Sequence, residues 1–201
     1  MPLLKVWDPA QEKAVSSTYG GYLDRLSKWS DIREYLPFLY ETAKSYEKVR
    51  VLELGARGGN STLAFLAAAE AVDGFVTSVD IEKVTDNLRG LAPWREHPRW
   101  TFIHSDDMDP KILHKLPAEV DVLFVDSSHE YEHTLHELYA YMPRVAPGGV
   151  ALFHDTRVFG SWSEEGDTIP PVSRALDDYC RETNLSWENR EGRYGCGVIR
   201  L

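Results

Sequence analysis

The sequence predicts an α/β fold, a parallel sheet with helices on both faces. Three observations carry this. From residue 49 onward, short apolar runs of strand length alternate with stretches of helical length. One run, at residues 120–125, is nearly continuously apolar, as a buried central strand would be. Most runs also end in polar groups: Asp80, Ser105, Asp126 and His154-Asp155. In open α/β sheets, ligands bind in the crevice at the carboxyl ends of the strands, so this convergence marks a candidate site.

The elements follow in order. Residues 9–47 read as helical at 11–17, 23–28 and 32–46, with Gly20-Gly21 separating the first two. Residues 49–54 form the first strand and 55–59 a glycine-rich turn, and Asn60 or Ser61 caps a helix over 62–71. A strand at 75–79 ends at Asp80, a helix spans 84–91, and a third strand covers 100–104. The strand at 120–125 leads into a helix over 131–145. Pro147-Gly148-Gly149 turns the chain into a strand at 150–153. A polar loop at 156–167, a helix at 171–182 and strands at 185–189 and 196–200 complete the chain.

A length of 201 residues fits one domain with a real core. The net charge of -10 and the lack of any Lys/Arg run exclude an electrostatic grip on nucleic acid. No apolar stretch reaches membrane-span length, so no membrane partner is expected. The first residues lack a secretory apolar core and cleavage site, which makes the cytoplasm the expected location. Cys180 and Cys196 are the only cysteines. Without a CxxC pair or an export signal, they read as reduced, partly buried thiols.

The turn Gly55-Ala56-Arg57-Gly58-Gly59 opens a helix, and its amides favour an anion. It fails the dinucleotide fingerprint G-x-G-x-x-G, because Arg57 and Asn60 hold the second and third glycine positions. Asp80 can accept hydrogen bonds from both hydroxyls of a ribose. Ser105 and Asp106 can read an adenine edge, while Asp107 and Asp109 read as caps before Pro110.

His129-Glu130-Tyr131-Glu132-His133 matches H-E-x-x-H, which on a helix would hold zinc with Glu130 as base. The strand pattern instead leaves His129 in the loop before a helix, and no third ligand motif follows. His133 and His136 therefore read as helix-surface residues, and zinc hydrolysis is disfavoured. Asp126, His154 and Asp155 at adjacent strand ends can hold a divalent ion with open positions for substrate. The alternative is that they cap helices and loop amides. His129, three residues after Asp126, titrates near neutrality and can take a hydroxyl proton, or else bond the cofactor or the loop. His97, His104 and His114 belong to no constellation.

The segments VLELGARGGNSTLAF, VTSVDIE, FIHSDDMD, VDVLFVDSSHEYEHTLHELYAYMPRVAPGGVALFHDT and GCGVIR occur in an informative order. Over residues 49–201 the chain resembles the class I S-adenosylmethionine-dependent methyltransferases. Within them it is most similar to the metal-dependent small-molecule O-methyltransferases, which include antibiotic-tailoring and catechol-type enzymes. The resemblance implies a Rossmann-like, doubly wound seven-stranded sheet of order 3-2-1-4-5-7-6 with the last strand antiparallel. It also implies an N-terminal helical cap at 1–47 and a cofactor-binding unit at 48–201.

By position, Glu53, Gly55, Ala56, Arg57, Gly59, Asn60 and Ser61 would hold the methionine part of S-adenosylmethionine. Asp80 with Ile81 would hold the ribose, and Ser105 with Asp106 the adenine. Asp126 would stand beside the cofactor. Arg57 departs from the family's E/D-x-G-x-G-x-G, occupying its middle glycine. Magnesium would be held by Asp126, His154 and Asp155. The His-Asp pair stands where the family usually has Asp-Asn, Asp-Asp or Glu-Asp, and an imidazole there shifts the preference toward manganese or iron. In catechol-type enzymes a lysine base occupies the offset of His129, and His129 with Asp126 would serve catalysis here. The implied acceptor is a small-molecule hydroxyl, on a natural product, sugar or phenol. Phe159, Trp162, Tyr19 and Tyr22 would form an aromatic lid. A homodimer is the default association. A cofactor-binding module without catalysis and an NAD-dependent oxidoreductase are the competing readings.

Overall fold

The computed structural model describes residues 9–83, 96–159 and 168–201, and for 9–17 the backbone alone. The helix expected at 84–91 and Trp162 lie outside the described residues. The strands are β1 (Arg50–Leu54), β2 (Phe75–Asp80), β3 (Trp100–His104), β4 (Val120–Val125), β5 (Val145–His154), β6 (Trp187–Arg190) and β7 (Cys196–Arg200). The helices are α1 (Pro9–Ser27), α2 (Leu36–Lys44), α3 (Asn60–Val72), α4 (Tyr131–Tyr141) and α5 (Pro171–Thr183). They build one sheet of order β3-β2-β1-β4-β5-β7-β6. β7 runs antiparallel to both its neighbours, and the other pairs are parallel. This is the topology the resemblance implies.

The two-residue period of the strands divides the core into two layers. Val51, Phe124 and Leu152 point toward α1–α3, where Tyr22, Leu39, Phe65 and Leu66 are buried. Leu52, Leu54, Leu123 and Phe153 point toward α4 and α5, against Leu138, Tyr141 and Leu176. Glu53 shares the parity of Val51 and therefore points toward α3 rather than into the strand-end crevice. The helices before β1 bury Tyr22, Leu36 and Ala43 in the same layer as the sheet.

Several boundaries differ from expectation for physical reasons. α1 runs through Gly20-Gly21 unbroken. Each interior glycine costs a helix about 1 kcal/mol, and the burial of Thr18 and Tyr22 offsets it. α4 ends at Tyr141 rather than near residue 145, because Pro143 lies inside the short 3-10 turn Met142–Arg144 and cannot continue an α-helix. β5 begins at Val145 and passes through the expected turn Pro147-Gly148-Gly149. A register shift against β4 between Val120 and Val122 accommodates it as an irregularity. Tyr22 is no lid residue: it is 4% exposed and stacks on Tyr40 with centroids 5.0 Å apart. Both cysteines are free and buried. Among the described residues, no helix is long and apolar enough to cross a membrane.

Candidate functional site

The turn between β1 and α3 forms the base of the strand-end crevice. Gly55 has φ +83°, and a Cβ there would stand 2.1 Å from the Asp126 carbonyl oxygen. The turn is thus pressed against the end of β4, and only glycine fits. Arg57 also sits in the left-handed region, at φ 45°. Its side chain differs from the family glycine, but its backbone adopts the conformation glycine favours. Asp80 at the end of β2 locks this geometry. Its Oδ2 accepts from the backbone N–H of Ala56 at 2.8 Å and Arg57 at 2.7 Å, and its Oδ1 from Glu82 at 2.7 Å. Two turn amides expected to face an anion are therefore spent on Asp80. Of the roughly four acceptor positions of a carboxylate, one remains, on Oδ1. The Arg57 guanidinium pairs with Asp31 at 2.7 Å.

A cavity of about 730 Å³ opens above these loops, within the size range of small-molecule sites. Gly55, Arg57, Asp80, Ile81, Ser105, Asp106 and Asp126 line it, as the strand ends predict. Glu53, Ala56, Gly59, Asn60 and Ser61 do not. Glu53 is wholly buried behind the wall, accepting hydroxyl hydrogen bonds from Ser61, Thr62 and Ser78 at 2.7, 2.7 and 2.5 Å. Burial pushes its carboxyl up to about 7 against those bonds. Ser61 is spent on Glu53, and Gly59, with φ 77°, takes the N-cap position of α3 in place of the expected Asn60 or Ser61. Asp109 does cap, accepting from Lys111 N at 2.9 Å.

Where Asp126 ends the cavity wall, a cluster of two carboxylates and two imidazoles begins. His129 Nε2 lies 3.0 Å from Asp155 Oδ2 and 3.5 Å from Asp126 Oδ1. His154 Nδ1 lies 3.1 Å from Asp126 Oδ1 and 3.3 Å from Asp155 Oδ2. Asp155, at φ 60°, takes a left-handed conformation that aspartate tolerates better than most residues. Tyr35 packs edge-on to the His154 ring at 5.5 Å. Burial alone would lower both imidazoles. The facing carboxylates overcome it, pushing His129 up to about 9 and His154 to about 10. Burial opposes ionisation of Asp126 and Asp155, and the imidazoles still hold both below the usual carboxylate range.

The H-E-x-x-H stretch divides between two places. α4 starts at Tyr131, and Glu130 is extended with ψ 142°, so His129 lies before the helix. The two histidines never share a helical face, which removes the zinc-hydrolase reading. His133 is also not a plain surface residue. It lines the cavity, and its Nε2 lies 2.8 Å from Asp107 Oδ1 and 3.8 Å from Glu137 Oε1. Ser127 donates its hydroxyl to Glu137, and the Tyr141 hydroxyl donates to the Asp107 carbonyl. Sequence reading missed this second cluster. Its one local signal is the four-residue spacing of His133 and Glu137; Asp107 joins only through the fold.

A protein-family model described as a methyltransferase domain matches residues 52–156. The demethylmacrocin O-methyltransferase of Streptomyces fradiae is 29% identical over 140 residues, 64% of this chain and 33% of that protein. The chain thus spans about a third of the length of the curated relatives it matches. Among solved structures, the O-methyltransferase TomG of Streptomyces achromogenes, involved in tomaymycin synthesis and bound to S-adenosylmethionine, is similar at TM-score 0.64 and 18% identity, over 99% of this chain and 92% of that one. MycE from the mycinamycin biosynthetic pathway, solved with magnesium, S-adenosylhomocysteine and mycinamycin VI, gives TM-score 0.64 and 18% identity over 92% of this chain and 54% of that one. With the family match spanning the strand ends from β1 to β5, this chain belongs to the family that the methyltransferase-domain model describes.

Proposed function

We propose that the chain transfers the methyl group of S-adenosylmethionine to a hydroxyl oxygen of a small molecule, with a divalent ion at Asp126, His154 and Asp155. The observation that carries this reading is the position of the acid–imidazole cluster, which meets the cofactor cavity at Asp126. Asp80 would bind the ribose through its remaining acceptor position, and Ser105 and Asp106 would face the adenine.

The cluster suits a divalent ion. Donor atoms of Asp126, His154 and Asp155 lie within 4.8 Å of one another. Asp155 Oδ1 and His154 Nε2 are buried with no hydrogen-bond partner. MycE, solved with magnesium, supports the ion, and the name of the demethylmacrocin O-methyltransferase supports an oxygen acceptor. An ion held there supplies positive charge that lowers the pKa of an acceptor hydroxyl.

The chain's own groups then carry out the transfer. Gly55, pressed on Asp126, fixes the distance between the cofactor turn and the acid cluster. His129 stands beside both carboxylates as the proton acceptor. With Asp126 and Asp155 ionised and uncompensated its imidazole is already protonated, so it works as a base when their charge is neutralised. The acceptor oxygen attacks the methyl carbon in line. The O–C bond forms as the S–C bond breaks, the proton passes to His129, and S-adenosylhomocysteine leaves. Most of the acceleration comes from holding the two reactants in line.

Calorimetry with S-adenosylhomocysteine, followed by methyl transfer to a panel of phenols, sugars and macrolides with and without chelator, tests the reading. Saturable binding and chelator-sensitive methyl ethers are expected. A folded protein that binds no S-adenosylhomocysteine would overturn the whole reading, and chelator-resistant turnover would overturn the ion alone.

A further inference from the structure

The second cluster sits below the cavity, apart from the groups just given roles. Asp107 follows β3, while His133 and Glu137 lie one turn apart on one face of α4. One donor atom from each of the three lies within 4.8 Å of the others. Glu137 is 0% exposed; its Oε1 accepts from Ser127, and its Oε2 is buried with no hydrogen-bond partner. One carboxylate oxygen of Glu137 lies within 4.8 Å of one of Asp107. Two acceptor-only groups cannot bond each other, and burying both as anions is costly. Something cationic belongs between them, a proton or a metal ion. The adjacent imidazole nitrogen is a third donor, and a metal held with it would be of borderline character, since magnesium prefers oxygen and water.

We propose that Asp107, His133 and Glu137 form a second cation site that takes a divalent transition ion of the zinc, cobalt or manganese class. Asp107 and His133 also line the cavity, so the site opens toward the cofactor. The site is independent of the reaction assigned to the first cluster. In H-E-x-x-H, then, the second histidine is a ligand, but its partner is the glutamate four residues after it.

Cobalt(II) is the probe, because its visible absorption reports nitrogen and oxygen coordination. The full chain carrying Asp126→Asn and Asp155→Asn, stripped with chelator, should bind one cobalt ion that zinc displaces. Adding Glu137→Gln or His133→Gln should weaken binding by about tenfold or more, with circular dichroism confirming the fold. Asp107→Asn, on the cavity wall, replaces Glu137→Gln if the latter does not fold. In the otherwise unaltered chain, the same substitutions should lower the cobalt stoichiometry by one, which keeps the test in force if the background variant is unstable. No cobalt binding in a folded background, or equal binding in every variant, would overturn the site and leave a shared proton between the carboxyls.

Discussion

The two histidines of H-E-x-x-H end in clusters that differ in charge balance. Around His129, two carboxylates meet two imidazoles, and Asp126 and Asp155 are held ionised although buried. Around His133, two carboxylates share one imidazole. Asp107 takes it and falls below the usual range, while burial and the Asp107 charge push Glu137 well above. Glu53 extends the series: it has no imidazole, only three hydroxyls, and burial pushes it up to about 7. Burial alone therefore does not decide whether a carboxyl here is charged. The number of nearby cations does, and it separates Asp126 and Asp155, held below the usual carboxylate range, from Glu53 and Glu137, which burial pushes above it.

The largest effect should come from breaking the balanced cluster. Asp155→Ala should cut methyl transfer by about 10²- to 10⁴-fold, while calorimetry with S-adenosylhomocysteine gives an affinity within about threefold of the parent. Equal turnover in the variant would remove Asp155 from the mechanism. Glu53→Gln tests the other extreme through stability. The Glu53 carboxyl rises from about 4.5 unfolded to about 7 folded. Its stabilising contribution is thus full below pH 4.5 and is lost as pH rises through 7. The shift corresponds to about 3 kcal/mol. Urea unfolding across that window should show the parent losing stability relative to the variant. Parallel curves would mean that the three hydroxyls keep Glu53 ionised throughout.

Much of this was legible in the sequence, for a reason the comparison makes plain. β3, β4 and β7 fall at the expected residues, because apolar runs bounded by turn signals are local patterns. The strand-end acids Asp80, Asp106 and Asp126 reach the cavity because a parallel sheet puts every carboxyl end on one edge. What a side chain does there depends on partners far along the chain. Glu53 looked like a cofactor contact, and strand parity turns it to Ser61 and Ser78 instead. His133 looked like surface, and its partner Asp107 lies 26 residues away. No local spacing carries that information.

Cluster membership should also separate kinetic constants. His133→Gln, at the cavity wall but away from the His129 cluster, should raise KM for S-adenosylmethionine about tenfold, or about 1.4 kcal/mol. kcat should stay near the parent value, where Asp155→Ala lowers kcat. A fall in kcat at constant KM would place His133 in the chemistry and erase the division between the clusters.

The smallest effect concerns the turn between β1 and α3. Arg57 breaks the family's glycine pattern, yet φ 45° keeps the glycine backbone, with the Asp80 carboxylate on its amide. The side chain adds only a pair with Asp31, in which the arginine is 70% exposed and which contributes little to stability. Arg57→Ala and Arg57→Gly both lose that pair. Alanine keeps the left-handed strain and glycine does not, so the glycine variant should be the more stable of the two by about 1 kcal/mol in urea. Equal stability would mean that the turn relaxes once the guanidinium leaves Asp31, and the pair, not Asp80, would be what holds residue 57 in that conformation.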